Sequence, residues 1–600
     1  MKLKNLFKSI FFVVIWLMSI KGFGQLNFTY LSTFKTNLFD ASATEIAAYD
    51  KNSKRVFSTN ASTGKLDIID ISNPLIPVLI KSIDLSNYGS GANSVTCYNG
   101  IIATAVENSN PQMNGKVVFF DSAGTYINQV VVGVMPDMIT FTKDGKKIIT
   151  ANEGEPDDNY TVDPLGSISI IDVSGNISNI NSSHVKTLDF TYYNSQNLDK
   201  STRVFGNNGS SSAAQDFEPE YVAVSEDSKK AWVSLQENNA FAIIDLVADS
   251  IIGIKGLGFK NYGLSGNELD PSDKDNIAKI RKYDKLFGMY QPDAIKSFSI
   301  GSNNYIVSAN EGDSRDYSAF SEEVKISSLN LDISAFPNAA ILQNDSSLGR
   351  LIVTNTLGDS DNDNDYDSLY VFGTRSFSIW DDNGNLIFDS GSDFEQILIN
   401  SPYSNNFNSN NDDNNSFDKR SDNKGCEPEA IELIKDGNKI YALIGLERMG
   451  GFMVYDISNP NSPSFITYVT KRDFSIAANV SNDMGPENIL FIPSNESPNN
   501  QPLILVSNEI SGSITIFSVS GLTTEIYELD KENYKMTLYP NPATTVINTN
   551  KVSSYILSDI TGKTINTYQN TSSINIKNLT SGLYFIKDLY NQQISKFIKE

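Results

Sequence analysis

Ten acidic residues recur at matched places along this chain. Asp137, Glu220, Asp293, Glu429 and Glu487 each follow a proline and open an apolar, alternating run. Glu153, Glu237, Glu311, Glu447 and Glu509 each close the next such run. Carboxylate oxygens are hard ligands: gathered in one place they hold a divalent cation, which can then polarise a phosphate and activate water. Like charges at such range raise one another's pKa, so the set needs compensation by arginines or by bound metal.

The elements that must position these groups repeat as a unit. A first strand starts at the acidic residue, a second strand returns to the same end, and a third ends in an apolar-Asp pair such as Ile171-Asp172, Ile244-Asp245 or Tyr455-Asp456. Two earlier starts, Thr44-Glu45 and Ala92-Asn93, extend the series, with Ala61 and Glu107 closing their second strands. About seven such units, spaced from about 40 residues upward, predict an all-β, seven-bladed β-propeller. The antiparallel order brings both acidic positions of a unit to one end, so two rings of carboxylates converge on one face.

The formal charge of -24 excludes nucleic acid as a partner and favours cation binding. The single histidine, His184, lies in an Asn/Ser-rich stretch and reads as a loop residue, which leaves no basis for a Ser-His-Asp triad or a histidine zinc site. Cys97 and Cys426 fall in the second and sixth units, too far apart for a disulfide. Lys2 and Lys4 precede an apolar run from Phe7 to Ile20, so residues 1–24 read as a secretory signal peptide cleaved near Gly24 or Gln25. No second stretch is long and apolar enough for a membrane span.

Residues 25–527 are assigned to the propeller, with the orphan strand Leu26–Lys35 expected to complete the last blade and Thr524–Leu529 as the alternative donor. After a linker at 528–535, residues 536–600 form short strands between glycine turns, read as a small β-sandwich. The motifs Tyr539-Pro540-Asn541-Pro542, Asp559-Ile560-Thr561-Gly562-Lys563 and Gly582-Leu583-Tyr584-Phe585-Ile586 resemble the C-terminal sorting domain of the type IX secretion system of Bacteroidetes. The resemblance implies engagement of that machinery through residues 536–600, and a secreted or outer-membrane surface-anchored product.

Long insertions at 154–166, 257–290, 314–377 and 392–425 fall on the acidic face, and loops on a rigid scaffold carry function more often than the scaffold does. One of them contains Asp359, Asp361, Asp363, Asp365 and Asp367, an alternation suited to Ca²⁺. It resembles a calcium loop of the EF-hand kind but lacks the turn glycine and the bidentate glutamate. Arg315, Arg375, Arg420 and Arg448 lie on the same surface, either as clamps for an anionic ligand or as neutralisers of the carboxylate rings.

Ala151-Asn152-Glu153-Gly154-Glu155-Pro156, Ala309-Asn310-Glu311-Gly312-Asp313, Glu427-Pro428-Glu429, Gly445-Leu446-Glu447-Arg448 and Gly485-Pro486-Glu487 resemble the choice-of-anchor I family, with Cys426 at a place where proline is usual. The resemblance implies a secreted propeller and no settled activity. The first expectation is a surface module that binds a small molecule, glycan or protein, with Ca²⁺ ordering its face. The alternative is a calcium-dependent phosphohydrolase of the phytase or alkaline-phosphatase kind, with a lactonase-like hydrolase behind it.

Overall fold

The structure is a computed structural model that describes residues 26–522, 536–588 and 594–600. The signal peptide and the linker read from the sequence lie outside the described residues. The chain divides at Leu522 into two compact units.

Among the described residues, the first unit holds seven four-stranded antiparallel sheets, at 47–84, 92–134, 136–189, 219–256, 295–389, 428–469 and 486–520, the last completed by Asn27–Lys35. The first strand of each sheet packs on the first strand of the next, and Pro486–Ile492 packs on Ala47–Asp50, so the cycle of contacts closes. Stacking explains the burial. Second strands such as Lys147–Asn152, Lys230–Leu235 and Leu503–Asn508 lie between neighbouring sheets and are buried almost end to end. The outer strand Val78–Asp84 is mostly exposed. The terminal aspartates of third strands tie the following turn: Asp70 accepts the Ser72 N–H at 2.7 Å, and Asp121 those of Ala123 and Thr125 at 2.9 and 2.8 Å.

The strand starts carry a further device. In the third, fourth, sixth and seventh sheets the first strand shifts register just past its proline: between Pro136 and Ile139, Pro219 and Val222, Pro428 and Ile431, and Pro486 and Asn488. A bulge there re-aims the acidic side chain that would otherwise alternate into the sheet stack. Proline is tolerated because it is the first residue of the strand.

Asn27–Lys35 pairs antiparallel with Ser513–Ser520, as expected of the orphan strand. Without it, Ser513–Ser520 becomes a bare edge. Deleting residues 26–35 is therefore expected to lower the melting temperature and to yield oligomers in size-exclusion chromatography. A monomer of unchanged melting temperature would contradict this.

The second unit departs from the two-layer sandwich expected. Its strands form one nearly closed, barrel-like sheet in which Val546–Ser558 pairs with Leu538–Tyr539, Thr564–Asn575 and Gly582–Asp588, and Gly582–Asp588 pairs with Ile594–Lys599. The long strand, 13 residues with register shifts along it, lets one sheet curl around a single core of Ile547, Tyr555, Leu557, Ile574, Ile586 and Phe597.

Candidate functional site

The strand-start carboxylates meet at the axis of the first unit. A cavity of about 210 Å³ is lined by Glu45, Asn93, Asp137, Tyr221, Asp293 and Glu487, which lie in or just before the first strands of six different sheets. The register of each sheet brings a second-strand residue beside the start. Pro136 pairs with Asn152, Pro428 with Leu446 and Pro486 with Asn508, so Glu153, Glu447 and Glu509 follow directly. Three carboxylate triads at the rings are close enough to share one ion. In Asp137–Glu153–Glu220, in Asp293–Glu311–Glu429 and in Glu311–Glu427–Glu447, one oxygen from each member lies within 4.8 Å of the others. The first two are built alike, from two groups of one unit and the strand-start group of the next, and the third already meets Arg420 and Arg448 at Glu427.

Glu237 does not hold its expected place. Pro219 pairs with Leu235, so Gln236 occupies the position after the strand, and its side-chain amide donates to Glu311 Oε2 at 3.0 Å. Glu237 lies one residue further, buried in the turn, with Oε2 lacking a partner. The Gln236-Glu237 pair hides this one-residue difference from any reading of the sequence.

Burial, reinforced by neighbouring carboxylates, raises Glu153, Glu220, Asp293, Glu429 and Glu487 well above the usual carboxylate range. Glu447 is raised by burial and by Glu427. Burial with Glu155 nearby pushes Asp137 up to about 7, and burial with Glu509 nearby takes Glu45 to about 7. Glu427 is the exception. Its burial is outweighed by Lys424, Arg420 and Arg448, which hold it far below that range.

A second layer of acids, not singled out by the repeat, backs the rings. Glu155 and Asp313 follow ring residues by two, and Glu218 and Glu427 precede them by two. The doubled motifs Glu153-Gly154-Glu155 and Glu427-Pro428-Glu429 are the signal that could have found them. Cations reach both this layer and the rings. Arg420 and Arg448 both pair with Glu427, and Arg448 lies 3.1 Å from Glu447, which also accepts from Asn411 at 2.6 Å. Lys424 pairs with Glu311 and donates to the Gly312 carbonyl at 2.6 Å.

Arg315 and Arg375 are turned into the interior. Arg315 pairs with Asp216, lies 3.1 Å from Glu218 and donates to the Asp216 carbonyl at 2.7 Å. Arg375 pairs with Glu395 at 2.6 Å and donates to the carbonyls of Asp270, Ser421 and Asn423 at 2.6–2.8 Å. Both hold neighbouring connections together, and the carboxylates they meet, Asp216, Glu218 and Glu395, are not members of the rings. A buried pair of Arg203 with Glu322, also missed, joins the connection before the fourth sheet to the insertion of the fifth.

The acidic loop sits apart from the axis, on the insertion of the fifth sheet. Asp359 accepts the N–H groups of Asn362, Asp363 and Asn364 at 2.7, 3.2 and 3.1 Å, and Asp367 that of Ser360 at 2.9 Å. Oxygens of Asp359, Asp361 and Asp367 come within 4.8 Å of one another, while Asp363 is exposed and accepts the Asp365 N–H at 3.2 Å. His184 caps its own short turn, accepting the Asn181 N–H at 3.3 Å, far from any role in the rings.

Seven antiparallel sheets in a cycle around a carboxylate-lined axial cavity define the molecule as an all-β, propeller-like protein. The Choice-of-anchor I domain matches residues 45–460, and the chain belongs to that family. The Secretion system C-terminal sorting domain matches residues 537–600 and marks the chain for type IX secretion to the cell surface or the extracellular space. No helix among the described residues is long and apolar enough to cross a membrane. Gigasin-3a of Magallana gigas is 28% identical over 197 residues, covering 30% of this chain and 68% of that protein. Among solved structures, Kuenenia stuttgartiensis hydrazine synthase is similar with a TM-score of 0.41 at 12% identity, over 80% of this chain and 96% of its own. The β-propeller domain of Myceliophteria thermophila Cps50 (Swd1) gives 0.38 at 8% identity, over 82% of this chain and 99% of its own.

Proposed function

We propose that the chain is an exported, seven-bladed propeller that acts as a binding module, with the acidic axial mouth as its ligand site and Ca²⁺ as its cation. The observation that supports this most is the convergence of strand-start carboxylates from several sheets on one cavity, at the end where the insertions emerge. Such a site suits a small molecule, glycan or protein that presents cationic or hydroxyl groups, or that reaches the carboxylates through a metal ion. The second reading is a calcium-dependent phosphohydrolase, favoured by one detail: carboxylate triads such as Asp293–Glu311–Glu429 could hold a metal ion that polarises a phosphate.

The two readings separate in one experiment on the exported protein. Phosphomonoester, phytate and lactone hydrolysis are assayed with and without Ca²⁺, alongside binding to a glycan array. Calcium-dependent binding without turnover supports the module. Calcium-dependent turnover lost in Glu311→Gln would replace it with the enzyme.

The loop at 359–367 is proposed as a structural Ca²⁺ seat that orders the insertion of the fifth sheet. A chelator is then expected to lower the melting temperature by several degrees, and Asp361→Asn to remove that response. An unchanged chelator response in Asp361→Asn would take the loop out of the account.

A further inference from the structure

The acids of the rings and of the layer behind them differ in how completely their charge is answered. At Glu427, which is fully buried, two guanidinium groups converge, and Glu311 has Lys424. Glu429 has none of these. It is 8% exposed, its Oε2 is buried without a hydrogen-bond partner, and its carboxyl group meets that of Glu487 in a side-chain hydrogen bond rather than meeting a cation. It belongs to the triad whose oxygens approach within 4.8 Å across two sheets, with Asp293 and Glu311. Once such carboxyl groups give up their protons they are acceptors only and cannot satisfy one another, so the partnerless Glu429 Oε2 then calls for a cation.

Lys424 does not fill that need. Its ammonium is taken by Glu311 and by the Gly312 carbonyl, and its side chain is only 13% exposed. Gln236 orients the other Glu311 oxygen by donating to it at 3.0 Å, which leaves lone pairs on both Glu311 oxygens. Asp293 also lines the axial cavity of about 210 Å³, so an ion on the triad has room on its open side for waters or for an oxygen of a ligand.

We infer that Asp293, Glu311 and Glu429 form a divalent-cation site of the Ca²⁺ class, with an open coordination side facing the axial cavity. Three carboxylate oxygens, with no imidazole or thiolate among them, select a hard ion over zinc or copper. The Asp137–Glu153–Glu220 triad repeats the same construction two sheets earlier. This inference deepens the reading of the mouth as the binding face, and it is distinct from the proposed seat at 359–367.

Titration calorimetry of Ca²⁺ into the chelator-stripped full chain tests it, with melting curves as the control for folding. Wild-type protein is expected to take up Ca²⁺ at the mouth and in the loop. Asp293→Asn and Glu429→Gln should each weaken the mouth equivalent more than tenfold, whereas Asp361→Asn should leave it intact. Glu429→Gln removes one ionisable carboxyl group from a crowded cluster and keeps its size, so the stripped variant should melt no lower than wild type. An unchanged isotherm in folded Glu429→Gln overturns the site. Loss of all Ca²⁺ uptake in Asp361→Asn also overturns it, yet leaves the loop and the binding face standing. No uptake by wild type overturns the site and the calcium role together, while calcium-independent ligand binding at the mouth would still support the module.

Discussion

Replacing Arg315 by methionine is expected to lower the unfolding free energy of the first unit by about 3–5 kcal/mol, the usual cost of stripping one partner from a buried ion pair. Arg315 is 2% exposed, and Asp216 and Glu218 beside it are equally enclosed. Without the guanidinium, two carboxylates remain in a place with no water to solvate them. Phe205, whose ring lies 4.9 Å from the guanidinium, loses a cation–π partner as well. Asp216 keeps its acceptor bonds from the Phe205 and Gly206 N–H groups at 2.7 and 2.9 Å, so the local chain is still held and the loss is mainly electrostatic. Adding Asp216→Asn should then recover part of the stability, because it removes one stranded charge. Chemical denaturation of the wild type and both variants measures this. A double variant less stable than Arg315→Met would mean that the pair acts through shape rather than charge.

Metal-free protein is expected to lose stability as pH rises from about 4 to above 7, the reverse of ordinary acid denaturation. The sign follows from the proton count. Asp137 and Glu45, raised from ordinary values of 3.8 and 4.5 to about 7, keep their protons in the folded state at a pH where the unfolded chain has released them. Their contribution is fully present below the unfolded values and is lost as pH passes through about 7. Glu153, Glu220, Asp293, Glu429 and Glu487 move in the same direction. Glu427 moves the other way, and its pairs with Arg420 and Arg448 are lost only in strong acid. Ca²⁺ should remove the decline, because an ion supplies above pH 7 the positive charge that protons supply at pH 5. Melting temperatures at pH 5 and pH 8, each with Ca²⁺ and with chelator, decide it. Stripped protein that melts higher at pH 8 than at pH 5 would contradict the account.

The repeat was legible because a stacked sheet repeats its burial: each Pro-Asp or Pro-Glu start precedes an apolar run, and the third strands of the first six sheets close on an aspartate that ties its turn. The partner of Ser513–Ser520 could be read as well, since Asn27–Lys35 is a strand with no unit of its own. Register was the limit. Gln236 and Glu237 are adjacent, and only the pairing of Pro219 with Leu235 shows which one faces the ring. The cation layer was hidden for a different reason. Arg315 finds Asp216 across 99 residues and Arg203 finds Glu322 across 119, contacts set by which insertions lie side by side and not by local pattern. In the second unit, glycine-punctuated strands announced β structure, but whether they make two layers or one curled sheet depends on the bulges within Val546–Ser558.

The most direct test of the acidic mouth as a cation-dependent binding site is a crystal structure of the exported protein grown with Mn²⁺ as an anomalous stand-in for Ca²⁺. The account predicts an anomalous peak within coordination distance of Asp293, Glu311 and Glu429, its open side toward the axial cavity. Anomalous density confined to the loop at 359–367, with the triad bridged by shared protons or by Lys424 alone, would contradict it.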